Sequence, residues 1–183
     1  MQSNMMNRPL LVSSIIEHAI NNHPDTDIVS RRCEGDIHRY TLADSASRAK
    51  KLANALTRNG LVQSDRIATL AWNNYRHYEL YFGVAGMGAI LHTVDPRLFP
   101  EQLIYIINHA KDKWLFVDLT FIPLLEAIKD KIIGIEKFVI MADKENMPET
   151  SLPNVLCYES LIEDESELFE WPEFDENQGA YLC

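Results

Sequence analysis

Between residues 66 and 142 the chain alternates two spacings of apolar residues. Short and nearly unbroken apolar runs occur at RIATLAW (66–72), ILHTVD (90–95), WLFVD (114–118) and KFVIMA (137–142). Between them lie YRHYELYFGVAGMGA (75–89), EQLIYIINHAK (101–111) and FIPLLEAIKDKI (121–132), where apolar residues return every three or four positions. The first spacing predicts strands buried on both faces and the second predicts amphipathic helices. The order is β-α-β-α-β-α-β, which predicts an α/β fold with a parallel sheet flanked by helices on both faces. Right-handed crossovers would wind it. Pro100 suits the first turn of its helix, where its missing N–H costs nothing.

The pattern before residue 66 differs. Leu11, Ile15, Ile16 and Ala19 mark one face of a helix over 10–22, ended by His23-Pro24. Ile28-Val29 and residues 37–40 read as the strands of a hairpin turning at Glu34-Gly35-Asp36. Thr41 with Asp44 resembles a capping box, although Glu or Gln is the usual acid there. Leu42, Ala46, Ala49, Ala53 and Leu56 then form a helical stripe, and Gly60 is placed to stop it. From about residue 144 the rhythm fails. Prolines at 148, 153 and 172 and many acids predict a largely irregular connection, with one short helix at 158–162 and anchors at Leu156, Leu161, Phe169 and Trp171. The expected division is therefore 1–143, helix, hairpin and α/β sheet, and 144–183, an acidic connecting segment.

Composition narrows the class. The 183 residues are 46% hydrophobic and 24% charged, as in globular proteins with one real core. No apolar run of membrane-spanning length occurs, and the short run after Arg8 lacks the cleavage site of a signal peptide. The net charge of −10 is uneven: residues 145–183 hold 11 acids and no base. Neither half has the basic face of a nucleic-acid binder, so no nucleic-acid partner is expected. Cys33, Cys157 and Cys183 form no C-x-x-C pair, and the six histidines have no metal-ligand spacing. Reduced thiols in a cytoplasmic protein, with no metal site, are the expectation.

Motifs for chemistry are few. GVAGMG supplies Gly83, Gly86 and Gly88, but in the order G-x-x-G-x-G and late in a helix. A dinucleotide fingerprint needs the reverse order at a helix start, so close helix-to-sheet packing and a helix stop are expected instead. No phosphate-binding G-x-x-x-x-G-K-[ST] and no G-x-S-x-G nucleophile elbow is present. HTVDPRLFP is the most function-like loop, because it follows a strand at the sheet's carboxyl end, where open α/β sheets bind ligands. Its polar groups are His92, Asp95 and Arg97. Either Arg97 meets a phosphate, or Asp95 and Pro96 cap the following turn. Asn73 or Asn74 is expected to cap the next helix. Tyr75, Tyr78, Tyr81 and Phe82, at helical spacing, read as core or interface. No catalytic residue is identified.

Longer stretches carry a resemblance. YTLADSASRAKKLANAL is similar to the first block of the AMP-forming acyl-CoA ligases, within the wider adenylate-forming family. The stretch from DRIATLAWNNYRHYELYFGVAGMGA through HAKDKWLFVD resembles the second block. ILHTVDPRLFPEQLIYIINHA has the form found in the medium- and long-chain fatty-acid ligases, apart from Asp95, where many relatives carry Asn. YESLI and FEWPEFDENQGAYLC resemble the stretch before that family's phosphate-binding motif. The resemblance covers residues 9–183.

It implies the N-terminal subdomain of the adenylate-forming fold. It also implies a two-step reaction: a fatty carboxylate attacks the α-phosphate of Mg·ATP, and the thiol of coenzyme A then displaces AMP. ATP, Mg2+ and coenzyme A are the implied cofactors, and a fatty acid the implied substrate. The family's Ser/Thr/Gly-rich phosphate loop would follow AYLC, read here as the first strand of a second sheet. The 183-residue chain is thus expected to be a scaffold fragment, inactive alone, with His92, Asp95 and Arg97 bordering the coenzyme A channel. Relatives dimerise through this region, which the aromatic helix face would suit, and a fatty substrate is compatible with peripheral membrane association. A stand-alone module pairing with a ligase, or a fragment with an aryl or amino-acid substrate, are the alternatives.

Overall fold

The computed structural model describes residue 4 and residues 7–183. Helix α1 (Val12–Asn22) precedes an antiparallel hairpin of β1 (Asp27–Arg31) and β2 (Ile37–Thr41). Helix α2 (Leu42–Arg58) starts directly from the hairpin. Thr41 Oγ1 accepts from the Asp44 N–H at 3.1 Å, and Asp44 Oδ2 accepts from the Thr41 N–H at 2.9 Å. Asp therefore closes the capping box that Glu usually closes.

The predicted alternation follows: β3 (Arg66–Leu70), α3 (Tyr75–Gly86), β4 (Ile90–Thr93), α4 (Pro100–Ala110), β5 (Trp114–Val117), α5 (Ile122–Ile128) and β6 (Lys137–Ile140). The strands are parallel and share one sheet. Successive side chains take opposite faces. Trp114 and Phe116 of β5 pack under α2 and α3 with Leu52, Leu56, Leu80 and Val84. Leu115 and Val117 pack under α4 and α5 with Leu103, Ile107 and Leu125. Both clusters are fully buried at these positions, which is why the strands read as unbroken apolar runs.

The segment after residue 144 departs from the expected irregular connection. Val155–Cys157 forms β7, parallel to β6, and leads into α6 (Tyr158–Ile162), the one short helix predicted there. With only three half-buried residues between Pro153 and the helix, β7 gives no periodicity to detect. The chain then crosses back over α2 and α3. Phe169 and Trp171 pack on the core, Asn54 Nδ2 donates to the carbonyls of Ser166 and Leu168, and Arg58 pairs with Glu165. The acidic composition thus faces the basic outer side of α2.

A second correction concerns AYLC. Tyr181–Leu182 forms β8, which pairs in parallel with β4 and extends this same sheet rather than opening another. The strand order is β7-β6-β5-β3-β4-β8, continuous across residue 144. Both β8 side chains are well over a third exposed. The glycines of GVAGMG need a third correction. An added Cβ at Gly83 would lie 2.9 Å from Leu52 and 3.0 Å from the Ala49 carbonyl, so it permits helix-to-helix contact with α2 rather than helix-to-sheet packing. At Gly86 the Cβ would lie 2.6 Å from the Trp171 ring, while Gly88, at φ +86°, is the expected helix stop.

Candidate functional site

Strand β3 sends its crossover to one face of the sheet, and its neighbour β5 sends its own to the other. The carboxyl ends of such a pair form the crevice where open α/β sheets place ligands. Asp118, the residue after β5, fills that crevice. It is buried, and its carboxylate accepts from the Trp72 backbone N–H at 2.7 Å and from Asn74 Nδ2 at 3.0 and 3.1 Å. Burial still pushes its pKa up to about 6, against these donors. Asn74 caps α3, its Oδ1 accepting from the His77 N–H at 3.1 Å. His77 Nδ1 lies 3.2 Å from the Trp72 carbonyl, an acceptor only, so that nitrogen carries the hydrogen. Nε2 then accepts from Thr69 Oγ1 at 3.0 Å. Burial lowers the pKa of His77, in keeping with a neutral ring. Asp118, Asn74, His77 and Thr69 are thus engaged by one another and by the Trp72 backbone.

Beside it the hairpin closes over a second polar cluster. Arg76, on the first turn of α3, is buried. Its Nη1 donates to Glu34 at 2.7 Å and to the Met141 carbonyl at 2.9 Å, and its Nε to Glu159 at 2.8 Å; Asp143 takes Nη2. Arg32 of the hairpin turn also pairs with Asp143. One turn along α3, Glu79 is fully buried, bound by Arg48 Nε of α2 at 2.7 Å and by the Tyr158 hydroxyl at 2.7 Å. Burial raises the pKa of Glu79 and opposes ionisation of Glu159 as well, but for Glu159 the pull of Arg48 and Arg76 wins and holds it below the usual range. A cavity of about 400 Å³ lies against this cluster, with Arg32, His38, Arg48 and Glu159 among its walls. Each arginine of the cluster is matched by carboxylates, so the arrangement ties hairpin, α2, α3 and α6 together and, among the described residues, offers no free arginine.

The three residues singled out in HTVDPRLFP do not converge. His92 is buried in β4, its Nδ1 2.7 Å from Asp112 Oδ2. Asp95 and Arg97 pair with each other in solvent. Asp95 Oδ2 meets Arg97 Nη2 at 2.7 Å, and Oδ1 accepts from the Arg97 backbone N–H at 2.9 Å. This is the turn-capping geometry. It draws the pKa of Asp95 down to about 2, through the Arg97 side chain first. Cys33 lies against the Asp118 crevice, its thiol pushed up to about 11 by burial, which suits an inert group. Among the described residues no three His, Cys, Asp or Glu side chains are grouped to hold a metal ion, and no helix is long and apolar enough to cross a membrane. The spacing of apolar residues gave no warning of Asp118, Arg76, Glu79 or Glu159. The available signal was a charge at Arg76 and Glu79 inside an otherwise aromatic and apolar helix, and an acid directly after an apolar strand.

A parallel sheet covered on both faces, with its polar groups gathered at the carboxyl ends of the strands, defines an α/β domain of the kind that handles nucleotides. The chain belongs to the AMP-binding enzyme family, whose pattern matches residues 16–183. It is 46% identical over all 183 residues to a 3-methylmercaptopropionyl-CoA ligase of Ruegeria lacuscaerulensis, and 40% identical over the same length to a medium-chain-fatty-acid–CoA ligase of Ectopseudomonas oleovorans. In each case it spans 34% of the relative. The crystal structure of an anthranilate CoA ligase in complex with anthranoyl-AMP matches 99% of the chain with a TM-score of 0.81, at 18% identity and over 33% of that chain, which shows the same fold.

Proposed function

We propose that this polypeptide is the N-terminal part of an AMP-forming acyl-CoA ligase acting on a fatty or similarly aliphatic carboxylate. The observation that carries the reading is identity of 40% or more along all 183 residues with CoA ligases of aliphatic acids. In the reaction proposed, a carboxylate oxygen attacks the α-phosphorus of ATP and pyrophosphate leaves. The coenzyme A sulfur then attacks the acyl carbon and AMP leaves. Mg2+ would offset the phosphate charge of the first step. Its ligands do not fit this chain, because the acids of the Arg76 cluster, Glu34, Asp143 and Glu159, are each already bound by arginine.

The part proposed for this chain is positioning. The Asp118 hub and the Arg76 cluster hold the loops after β3, β5 and β6 and the start of α6 in one arrangement, which a neighbouring catalytic region could use as a fixed wall. Arg97 and Asp95 are the members of the His92, Asp95 and Arg97 group whose side chains reach solvent, so the proposed coenzyme A contact falls to them, to Arg97 above all. A cytoplasmic location goes with this reading, and the three free thiols suit it.

The test compares the 183-residue chain with a protein of the relatives' full length. ATP–pyrophosphate exchange and coenzyme A thioester formation would be measured over a panel of straight-chain fatty acids, 3-methylmercaptopropionate, benzoate and amino acids. The full-length protein is expected to turn over aliphatic acids with Mg·ATP, and the 183-residue chain to give no exchange. Turnover by the isolated chain, or a full-length protein active only on aryl or amino acids, would overturn the proposal.

A further inference from the structure

A cleft of about 370 Å³ runs between the hairpin and the first half of α3. On the hairpin side it is lined by Ile28, Val29, Ser30 and Arg31, four consecutive residues of β1, and by none of β2. Side chains of a strand alternate between faces, so consecutive lining residues mean that the cleft follows the strand's edge. That edge is open. The hairpin is a two-stranded sheet, and β1 pairs only with β2.

The register fixes which backbone groups face the cleft. The Arg32 N–H donates to the Asp36 carbonyl at 2.9 Å, one step beyond the pair Arg31 and Ile37. In an antiparallel ladder the bonded pairs alternate, so residues 28 and 30 direct their N–H and C=O toward β2, and Val29 and Arg31 direct theirs outward. Among the described residues these outward groups have no hydrogen-bond partner. Two residues apart, they have the repeat of a strand awaiting another. The opposite wall is aromatic, with Tyr78 and Tyr81, and Val29 is half exposed above it.

The geometry points to this cleft as the seat of an extended segment of the same polypeptide that lies beyond residue 183, added to the hairpin as a third strand along β1. Two observations favour that occupant. The matched relatives are about three times as long as this chain. And β8 emerges beside the cleft: the Tyr181 ring lies 5.1 Å from that of Tyr81, and the Tyr181 hydroxyl donates to the Tyr81 carbonyl at 3.1 Å. Backbone bonds from Val29 and Arg31 would supply affinity, and the tyrosine wall would select apolar side chains on alternate residues. The inference rests on the proposed function only in taking the protein to be as long as those ligases.

Amide hydrogen exchange on the unaltered full-length protein tests it. The Val29 and Arg31 amides are expected to exchange at least about 100-fold more slowly than free amides, comparably with those of Ile28 and Ser30. A photo-crosslinking residue in place of Val29 should join to a peptide beyond residue 183 within one molecule. Fast exchange at Val29 and Arg31, or a crosslink to a second copy, would overturn the inference. Ligase activity is read separately. Fast exchange in an active enzyme rejects the docking alone, and slow exchange in a protein without ligase activity rejects the function alone.

Discussion

Two ion-pair regions stand at the same end of the sheet, and they differ in what surrounds them. Asp95 and Arg97 form a well-aligned pair in the loop after β4, with the Arg97 side chain 84% exposed. Arg76 meets Glu34, Asp143 and Glu159 with its own side chain 2% exposed. The chemistry is the same. In water the first pair competes with solvent and contributes little. The second set is shielded from solvent; Asp143 keeps Arg32 and Glu159 keeps Arg48 if Arg76 is lost, but Glu34 is left with its charge stranded. Burial decides which pair the fold depends on.

Arg76→Ala is the sharpest way to break that contrast. It would strand the Glu34 carboxylate and take one of two arginines from Asp143 and from Glu159, at a cost of about 3–5 kcal/mol. Denaturant unfolding should show this as a large drop in midpoint, with the hairpin loosened. A loss comparable to that of an ordinary surface substitution would mean that water reaches the cluster freely.

Asp118 extends the comparison to pH. Its folded pKa of about 6 lies above the ordinary 3.8, so the folded protein holds the proton across that window and the unfolded chain does not. Its contribution to stability is therefore greatest below pH 4, falls as pH rises toward 6, and is constant above. The full span is up to about 3 kcal/mol for a shift of roughly two units. Asp118→Asn, with no proton to lose, should flatten that part of the stability profile relative to the unaltered chain. Identical profiles would show that Asp118 ionises as an exposed acid does.

A smaller effect concerns the acidic strap that crosses α2 and α3. Gly86→Ala would press a methyl group against the Trp171 ring and cost about 1–3 kcal/mol. Tryptophan fluorescence should report the displaced ring. Unchanged emission and stability would mean that the strap shifts freely and takes no part in the buried side of the comparison.

How far the sequence revealed these regions follows from the same physics. The strands and helices from 66 to 142 were legible because both faces of the sheet are buried, which writes continuous apolar runs into the chain. Asn74 was legible as a cap because its position before a helical period is local. The Arg76 cluster was not, because its partners come from five places between Arg32 and Glu159 that only the fold brings together. Strands β7 and β8 were missed or misplaced for a related reason: with three and two residues, they are defined by their neighbours β6 and β4 rather than by any period of their own.

The smallest expected change in stability tests the exposed pair. Arg97→Ala removes an exposed side chain whose hydrogen bonds, among the described residues, go to Asp95 alone, so the thermal midpoint should stay where it is. If the loop borders the coenzyme A channel, as proposed, the full-length variant should still catalyse ATP–pyrophosphate exchange at the normal rate, because that half-reaction needs no coenzyme A. Its KM for coenzyme A should rise, and Arg97→Lys should recover part of the loss, since a lysine keeps the charge but not the fork. An unchanged KM would leave Asp95 and Arg97 as a turn cap alone. A lowered exchange rate would mean that the loop also supports the first half-reaction, and an exposed pair with little part in stability would then matter more to the chemistry than the buried one.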